Sequence, residues 1–306
     1  MRSFIELIHA ALDRKASALI LMVGQPATLK LGSGYAVLPE EAMLTPGDTE
    51  KLTRQAYDMA GRSLAAPARC LDEEFAISVP GLTRLRIYAY RQRNSYAMNV
   101  RIIPFGIPSP EELGIPAEVM RLAELTEGLV LVTGPAGSGK STTLAALTDA
   151  INHRRSAYIL TVEDPIEYLF KNDRALISQR EIGLDAESPL QALRSADALT
   201  PDVLLVSRIP DGETLAEVLR LSNAHPLVLT AVTARTPGAA LNALLAGVSG
   251  DSRGLMAREL SLLLKAVVCQ TLEPDGEGRP VPHFRLILPD ERQRQAIAEL
   301  DLYRLD

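Results

Sequence analysis

The sequence predicts a two-domain α/β protein, in which a small N-terminal α+β domain precedes a larger domain with a largely parallel sheet. The 306 residues exceed the usual length of one domain. Four prolines between Pro104 and Pro116 disfavour regular structure and indicate a linker. Beyond them, apolar runs alternate with helical segments, which is typical of βα units in a sheet covered on both faces. We therefore predict domains at 1–103 and 117–306, with a linker at 104–116.

The N-terminal domain is predicted to contain two helices and several strands. Phe4 and Ile8 lie on the apolar face of a short first helix. Thr45 and Pro46 form a typical helix start, an N-cap followed by proline at the first helical position. The predicted elements are helices at 4–12 and from 46 to about 59, and strands at 18–23, 74–79, 82–90 and 97–103.

Two of these strands present basic side chains. In strand 82–90, apolar residues alternate with polar ones, so one face is predicted to be buried and the other basic and aromatic. The basic and aromatic set comprises Arg84, Arg86, Tyr88 and Tyr90. Strand 97–103 adds Arg101 on the face opposite Val100 and Ile102. These arginines are candidates for contact with an anion, and a solvated strand surface is the alternative.

The second domain carries a complete phosphate-binding loop between a predicted strand at 129–132 and a helix. Its glycines let successive N–H groups turn toward phosphate oxygens. Lys140 would reach the β- and γ-phosphates, and the Ser141 hydroxyl would ligate Mg²⁺. A glycine-rich turn without a ligand is the alternative, which the full pattern disfavours. The predicted ATP-binding residues are Gly134, Pro135, Ala136, Gly137, Ser138, Gly139, Lys140, Ser141 and Thr142.

Acidic residues follow the next predicted strand. Glu163, Asp164 and Glu167 come directly after the apolar run at 158–162. Ligands of parallel α/β sheets gather at the carboxyl ends of strands, so these acids should lie near the nucleotide. The other elements predicted in this domain are strands at 203–206 and 227–231 and helices at 189–198 and 213–223.

Composition disfavours several other classes of protein. Cys70 and Cys269 have no partner at ligand spacing, so buried free thiols are expected rather than a zinc site or a disulfide. The net charge of −6 and the absence of Trp argue against a nucleic-acid binder. The N-terminus fits neither a signal peptide nor an anchor, and no apolar run reaches the ~18 residues of a spanning helix. We therefore expect a cytosolic chain.

Several motifs together resemble one family, the hexameric secretion ATPases of type II secretion and type IV pilus systems, and within it the pilus retraction (PilT-like) ATPases. Phosphate-loop proteins in general lack the acidic motif at 163–167 and the Gln-Arg-Glu motif at 179–181. The resemblance covers nearly all of the chain, and its remaining motifs are residues 16–19, 79–84 and 270–272. It implies a PAS-like N-terminal domain and a RecA-like P-loop NTPase domain.

The resemblance also implies roles for individual residues and partners. Glu163, Asp164 and Glu167 match the acidic box, which organises Mg²⁺ and water, with Glu163 beside Ser141 as a metal-site residue. Arg86 and Arg101 resemble arginines that are offered to a nucleotide across a subunit boundary, where a guanidinium offsets transition-state charge. By resemblance the chain would form a homo-hexamer or a hetero-oligomer with an active paralogue. It would act in twitching motility on an inner-membrane pilus platform protein, as a cytoplasmic protein peripheral to that membrane.

The chain departs from the family pattern where hydrolysis and sensing are concerned. The family has a glycine and a water-activating glutamate where this chain has Ser207 and Arg208, and an arginine accepts no proton near neutral pH. Val232 replaces a histidine expected to sense the γ-phosphate, although His225 is retained. The remaining departures are Ala18 and Ile20 in the first strand, and a short tail at 288–306 without a recognisable retraction signature.

Three hypotheses follow from this combination. In the first, the protein binds ATP·Mg²⁺, hydrolyses it poorly and serves as an accessory or regulatory subunit. In the second, it is a working retraction motor in which Asp202, Asp211 or Glu213 replaces the lost glutamate, although helix capping and surface positions are favoured for these acids. The third, a nucleic-acid-dependent enzyme, is disfavoured by the charge.

Overall fold

The structure is a computed structural model that describes residues 2–32, 34–39, 42–64, 71–103, 106–224, 226–248, 250, 252–274, 276 and 280–306. The chain divides into two compact units, Met1–Phe105 and Gly106–Asp306. Three residues considered above, Cys70, Pro104 and His225, lie outside the described residues.

The first unit is built on an antiparallel sheet of six strands in the order β3-β2-β1-β6-β5-β4. Its elements are α1 (Phe4–Asp13), β1 (Ala18–Leu21), β2 (Thr28–Leu31), β3 (Gly34–Val37), α2 (Pro46–Met59), β4 (Asp72–Val79), β5 (Thr83–Gln92) and β6 (Ser95–Ile103). This arrangement confirms the predicted small α+β domain.

Local sequence explains why the two helices begin where they do. The Thr45 hydroxyl accepts from the Asp48 N–H while the Asp48 carboxylate accepts from the Thr45 N–H, and this reciprocal cap stabilises the first turn of α2. Ser3 caps α1 in the same way. The apolar faces of both helices contribute to one core with the sheet, where Phe4, Leu52 and Phe75 are fully buried. Burial of this apolar surface drives the folding of the unit.

The second unit is built on a seven-stranded sheet in the order β13-β12-β7-β11-β10-β8-β9, in which only β13 runs antiparallel to its neighbour. Its elements are α3 (Ala117–Met120), β7 (Gly128–Gly134), α4 (Lys140–Arg154), β8 (Tyr158–Glu163), β9 (Leu176–Glu181), α5 (Pro189–Arg194), α6 (Ala196–Leu199), β10 (Val203–Val206), α7 (Gly212–Asn223), β11 (Leu227–Thr233), α8 (Pro237–Ala246), α9 (Ser252–Leu263), β12 (Leu264–Pro274), β13 (Pro280–Ile287) and α10 (Glu291–Ala298). The predicted largely parallel sheet is confirmed.

The sheet of the second unit is covered on both faces. Leu129 and Leu131 of β7 belong to one core, whereas Val130 and Val132 belong to the core on the other face. Successive side chains of a strand point to opposite faces, so a strand between two cores must be apolar throughout. This explains why the strands before the functional loops read as continuous apolar runs.

Two sequence predictions differ from the structure. The helix predicted at 189–198 is two short helices, α5 and α6, which meet at Ser195; the hydroxyl there accepts from Arg180 Nη1 at 2.6 Å. The described part of the predicted linker, residues 106–116, belongs to the second unit. Ile107 and Leu113 pack on one of its cores and Ile115 is buried there.

A glycine pair in the second unit tests the tightness of its packing. Gly128 opens β7 at φ +91°, and an added Cβ would lie 2.5 Å from Lys265 Cε and 2.9 Å from the Leu263 carbonyl oxygen. We expect Gly128→Ala to lower the free energy of unfolding by about 1–3 kcal/mol in urea denaturation. The added methyl group would clash with its neighbours, and alanine is strained at this positive φ.

Gly254 provides the matched control, since it lies in α9 with no atom within 4 Å of an added Cβ. Gly254→Ala should raise the free energy of unfolding by about 0.5–1 kcal/mol through helix propensity. Equal effects of the two substitutions would contradict the packing described for Gly128.

Candidate nucleotide site

Parallel register brings the ends of four strands to one edge of the second sheet. Gly134 at the end of β7 pairs with Thr233 of β11, and Val206 of β10 pairs with Val162 of β8. The backbone pairing of β10 with β8 continues one residue beyond β10, where the Ser207 N–H donates to the Val162 carbonyl at 3.0 Å. The phosphate loop, the residues after β10 and the acids after β8 therefore lie along the carboxyl edge, where parallel sheets bind ligands.

The phosphate loop has the backbone conformation that its glycines predict. Gly137 and Gly139 adopt φ of +79° and +89°, in the region that favours glycine. Gly139 is the N-cap of α4, so the helix begins at Lys140. The free N–H groups of its first turn and the helix dipole favour an anion at this end.

Gln270 of β12 packs closely against the phosphate loop. An added Cβ at Gly134 would lie 2.0 Å from the Gln270 carbonyl oxygen, and one at Gly139 would lie 2.8 Å from its Nε2. The Gln270 Oε1 accepts from Thr143 Oγ1 at 2.7 Å. Glycine at 134 is thus required by contact with the neighbouring strand. The motif at 270–272 does not by itself indicate this role, because the contact depends on the pairing of β12 with β7.

Lys140 is a partly buried cation whose hydrogen bonds end on its own loop. Its Nζ donates to the carbonyl oxygens of Gly134 at 3.0 Å and Pro135 at 2.7 Å. Burial lowers the pKa of Lys140, and within the described ranges it forms no ion pair with a carboxylate. Ser138 Oγ nearby is buried without a hydrogen-bond partner. A cation and a hydroxyl left in this state fit an anionic ligand such as a triphosphate.

The acidic residues have different surroundings. Glu163 is buried, and its Oε1 accepts from Thr161 Oγ1 at 2.6 Å and Gln179 Nε2 at 3.1 Å. Asp164 is exposed and Glu167 is partly exposed. Among the residues that the structure describes, no group of three or more His, Cys, Asp or Glu side chains could hold a metal ion. A Mg²⁺ ion at Ser141 and Glu163 would therefore need phosphate oxygens to complete its ligands.

Arg208, which follows the neighbouring strand β10, contacts one of these acidic residues. Its Nη2 lies 2.9 Å from Asp164 Oδ2, while the Asp164 N–H donates to Ser207 Oγ at 3.1 Å. The two side chains are 66% and 37% exposed, so solvent limits the pair to ~1 kcal/mol or less of stability. Its importance is chemical, because a guanidinium lies against the acidic box where a carboxylate is expected.

The acids considered as substitutes lie elsewhere. Asp202 is at the amino end of β10, where its Oδ2 accepts from the Tyr158 N–H at 2.7 Å. Ser207 lies five positions further along the extended chain, a rise of about 16 Å. Asp211 caps α7 by accepting from the Thr214 N–H at 2.8 Å, as predicted, and this hydrogen bond lowers the pKa of Asp211. Glu213 is exposed on the first turn of α7. Among the described contacts, none of the three forms an ion pair with Arg208.

The arginine face of the first unit is largely paired within its own sheet. Arg86 forms two hydrogen bonds to Glu74 on β4, at 2.6 and 3.0 Å, and Tyr88 bonds to Asp72. Arg101 lies directly opposite Arg86 in the register, is exposed, and makes no ion pair with a described residue. Of the two candidate arginines, Arg101 is therefore the one left available to a ligand.

Two further predictions concern residues of the second unit. Val232 is partly buried, and its apolar side chain packs against one core of the second unit. Cys269 is a free thiol, as expected, although it is only partly buried, and burial raises its pKa to about 11. A thiol with such a pKa is a poor nucleophile at neutral pH.

Within the described chain, every helix is too short or too polar to cross a membrane.

Comparison with known proteins agrees with this geometry. The model of the type II/IV secretion system protein family matches residues 91–277. The chain is 35% identical to an uncharacterised Escherichia coli protein, YggR, over 92% of this chain and 85% of that one. It is 33% identical to the type IV pilus ATPase PilU of Pseudomonas aeruginosa, over 90% and 72% of the two chains. The solved structure of the pilus retraction motor PilT with bound ADP superposes with a TM-score of 0.87 at 33% identity, covering 99% and 88%.

The loop geometry predicts stabilisation by nucleotide. At an ATP·Mg²⁺ concentration ~100 times Kd, mass action should raise the Tm by about 5–10 °C. Lys140→Ala should remove the shift, because it removes the cation that we expect to meet the phosphates. The measurement is thermal unfolding with and without ATP.

Lys265→Ala is the matched control for this experiment. Lys265 pairs with Glu127 at 3.3 Å, close to the amino end of β7, so its loss should leave the shift intact. A flat titration of the wild type at millimolar ATP would contradict the assignment of the loop.

Proposed function

Since the chain belongs to the type II/IV secretion system protein family, we propose that it is a PilT-like protein of a type IV pilus or type II secretion-like machine. In this proposal it binds ATP·Mg²⁺, hydrolyses it poorly, and acts as an accessory or regulatory subunit in pilus retraction. Two features support the proposal. The phosphate loop is suited to an anion, and the nearby position expected to activate water is altered.

The binding half of the proposal is supported by the loop. The uncapped first turn of α4 and the partly buried Lys140 ammonium support binding of a triphosphate, and the Ser141 hydroxyl would ligate its Mg²⁺. The solved PilT structure to which this chain is similar contains bound ADP. Bound nucleotide would draw Lys140 from the carbonyl oxygens of its own loop to phosphate oxygens, since a charged acceptor forms the stronger hydrogen bond.

One observation carries the second half, the ion pair between Arg208 and Asp164. A general base accepts a proton from the attacking water and typically contributes about 10²–10⁴ in rate. Arg208 accepts no proton at physiological pH, and its pairing with Asp164 also offsets one charge of the acidic box. The arrangement thus weakens water activation while leaving the phosphate loop complete.

The proposed assembly and location rest on the resemblance to the family. We carry over a homo-hexamer, or a hetero-oligomer with an active paralogue, at an inner-membrane pilus platform protein. The protein would then be cytoplasmic and peripheral to that membrane. In such an assembly, nucleotide occupancy would set the shape of this subunit and its contacts with neighbours.

A working retraction motor is the second candidate, and the names of the relatives favour it, since PilU and PilT are described as pilus ATPases. This reading needs a carboxylate in place of the missing glutamate. Asp202, Asp211 and Glu213 would each have to leave the positions described above. Glu163 remains near the site but is held by Thr161 and Gln179.

Phosphate release separates the two candidates. We expect steady-state release by the wild type to lie near background, and Arg208→Glu to raise it by about tenfold, limited by the absence of the sensing histidine. Arg208→Ala is the matched control, because it frees Asp164 without supplying a base, and it should stay near background. Robust wild-type turnover that Lys140→Ala abolishes would show that the protein is an active motor.

The two arginines of the first unit should differ in their effects. We expect Arg101→Ala to weaken nucleotide affinity by about tenfold in the assembled protein and not in dilute monomer, because a group donated across a subunit boundary acts only in the assembly. Arg86→Ala should also cost about 0.5 kcal/mol of stability, since it breaks the pair with Glu74.

The measurement is nucleotide affinity at protein concentrations below and above assembly, with the oligomeric state followed by analytical ultracentrifugation. Arg54→Ala serves as control, because Arg54 pairs with Glu50 on the surface of α2. An equal loss of affinity for Arg101→Ala in the monomer would contradict donation between subunits.

A further inference from the structure

Tyr168 touches the phosphate helix from the segment that follows β8. Its hydroxyl lies 2.8 Å from Thr142 Oγ1, and either oxygen could be the donor. Thr142 is the third residue of α4, in the turn whose N–H groups are free to meet a ligand. Both side chains are partly buried. The contact therefore joins the nucleotide-binding turn to the segment that carries the acidic box.

The Thr142 hydroxyl is held differently from those of Thr53 and Thr148, whereas the neighbouring Thr143 likewise bonds a side chain from another segment. Thr53 and Thr148 each donate to the carbonyl oxygen four residues earlier, at 2.8 Å. That bond is the usual one for a threonine inside a helix, and it directs the hydroxyl along the helix surface. At Thr142 the hydroxyl instead bonds to a side chain from another segment. Tyr168 thus provides a partner that keeps this hydroxyl at the open end of α4.

The side-chain amide of Gln179 contacts the segment that carries Tyr168. Gln179 Nε2 donates to the Tyr168 carbonyl at 2.8 Å and to Glu163 Oε1 at 3.1 Å, while Gln179 Oε1 accepts from the Phe170 N–H at 3.0 Å. The same side chain therefore positions Tyr168 and the buried acid. A continuous series of hydrogen bonds runs from Thr142 through Tyr168 and Gln179 to Glu163.

We propose that Tyr168 is a positioning residue of the nucleotide site, which orients the Thr142 hydroxyl toward a phosphate group of bound ATP or ADP. The inference rests on the proposed nucleotide binding. A hydroxyl that already has one fixed partner loses less freedom when it bonds a phosphate oxygen, so the contact increases affinity through preorganisation. Through Gln179, the same contact links occupation of the phosphate loop to the position of Glu163.

Calorimetric titration with ATP·Mg²⁺ and with ADP tests this assignment. We expect Tyr168→Phe to raise Kd for both nucleotides by about threefold to tenfold, the usual value of one hydrogen bond. Tyr158→Phe is the matched control. The Tyr158 hydroxyl donates to Ser178 Oγ at 3.0 Å from the amino end of β8, so its loss should leave Kd unchanged.

A double-mutant cycle separates positioning from a merely structural effect. In a Thr142→Val background, Tyr168→Phe should change Kd by less than about twofold, because the hydroxyl through which it acts is gone. Thr142→Ser, which keeps the hydroxyl, should restore sensitivity to Tyr168→Phe.

Wild-type affinity in Tyr168→Phe, or an equal loss in both backgrounds, would overturn the inference while leaving nucleotide binding intact. A wild type that binds neither nucleotide would overturn the proposed function and this inference together.

Discussion

The site depends on the parallel register of four neighbouring strands, β7, β11, β10 and β8. Because these strands run in the same direction and are paired residue by residue, their carboxyl ends meet at one edge. The apolar cores on both faces hold that register, since a shift by one residue would exchange the side chains of the two cores. Every residue that follows one of these strands therefore enters the same small region, whatever its distance along the chain.

This constraint explains why Arg208, which follows β10, contacts an acidic residue that follows β8. Arg208 and Asp164 are 44 residues apart in sequence but follow the ends of the adjacent strands β10 and β8, so their side chains meet. The phosphate loop lies beyond β11 and keeps its own support from Gln270 and the first turn of α4. In the proposed function, binding and water activation would depend on different strands, so that one could be impaired while the other is retained.

Local patterns in the sequence predicted much of the fold and part of the site. The cap at Thr45, the alternation in β5 and the loop glycines each reflect chemistry within a few residues, and the structure has these features. The strand β9 was not predicted, because its side chains are neither uniformly apolar nor cleanly alternating. Prolines at 104–116 predicted a linker, yet proline also suits a loop packed on a domain surface, which is how residues 106–116 lie.

Contacts between distant residues could not be predicted in the same way. Thr143 and Gln270 are 127 positions apart, and only the pairing of β12 with β7 brings them together. The pair between Arg86 and Glu74 likewise depends on the exact register of a hairpin. The sequence indicated that Arg208 is a poor base, but its contact with Asp164 required the arrangement of β8 and β10.

A single-turnover experiment tests the central claim, that this site holds ATP without turning it over efficiently. Protein in excess over radiolabelled ATP·Mg²⁺ would be quenched at intervals and the nucleotide identified by chromatography. We expect protein-bound nucleotide to remain ATP over many minutes. Conversion of the bound ATP to ADP and phosphate within seconds would contradict it, because the chemical step would then be intact despite Arg208.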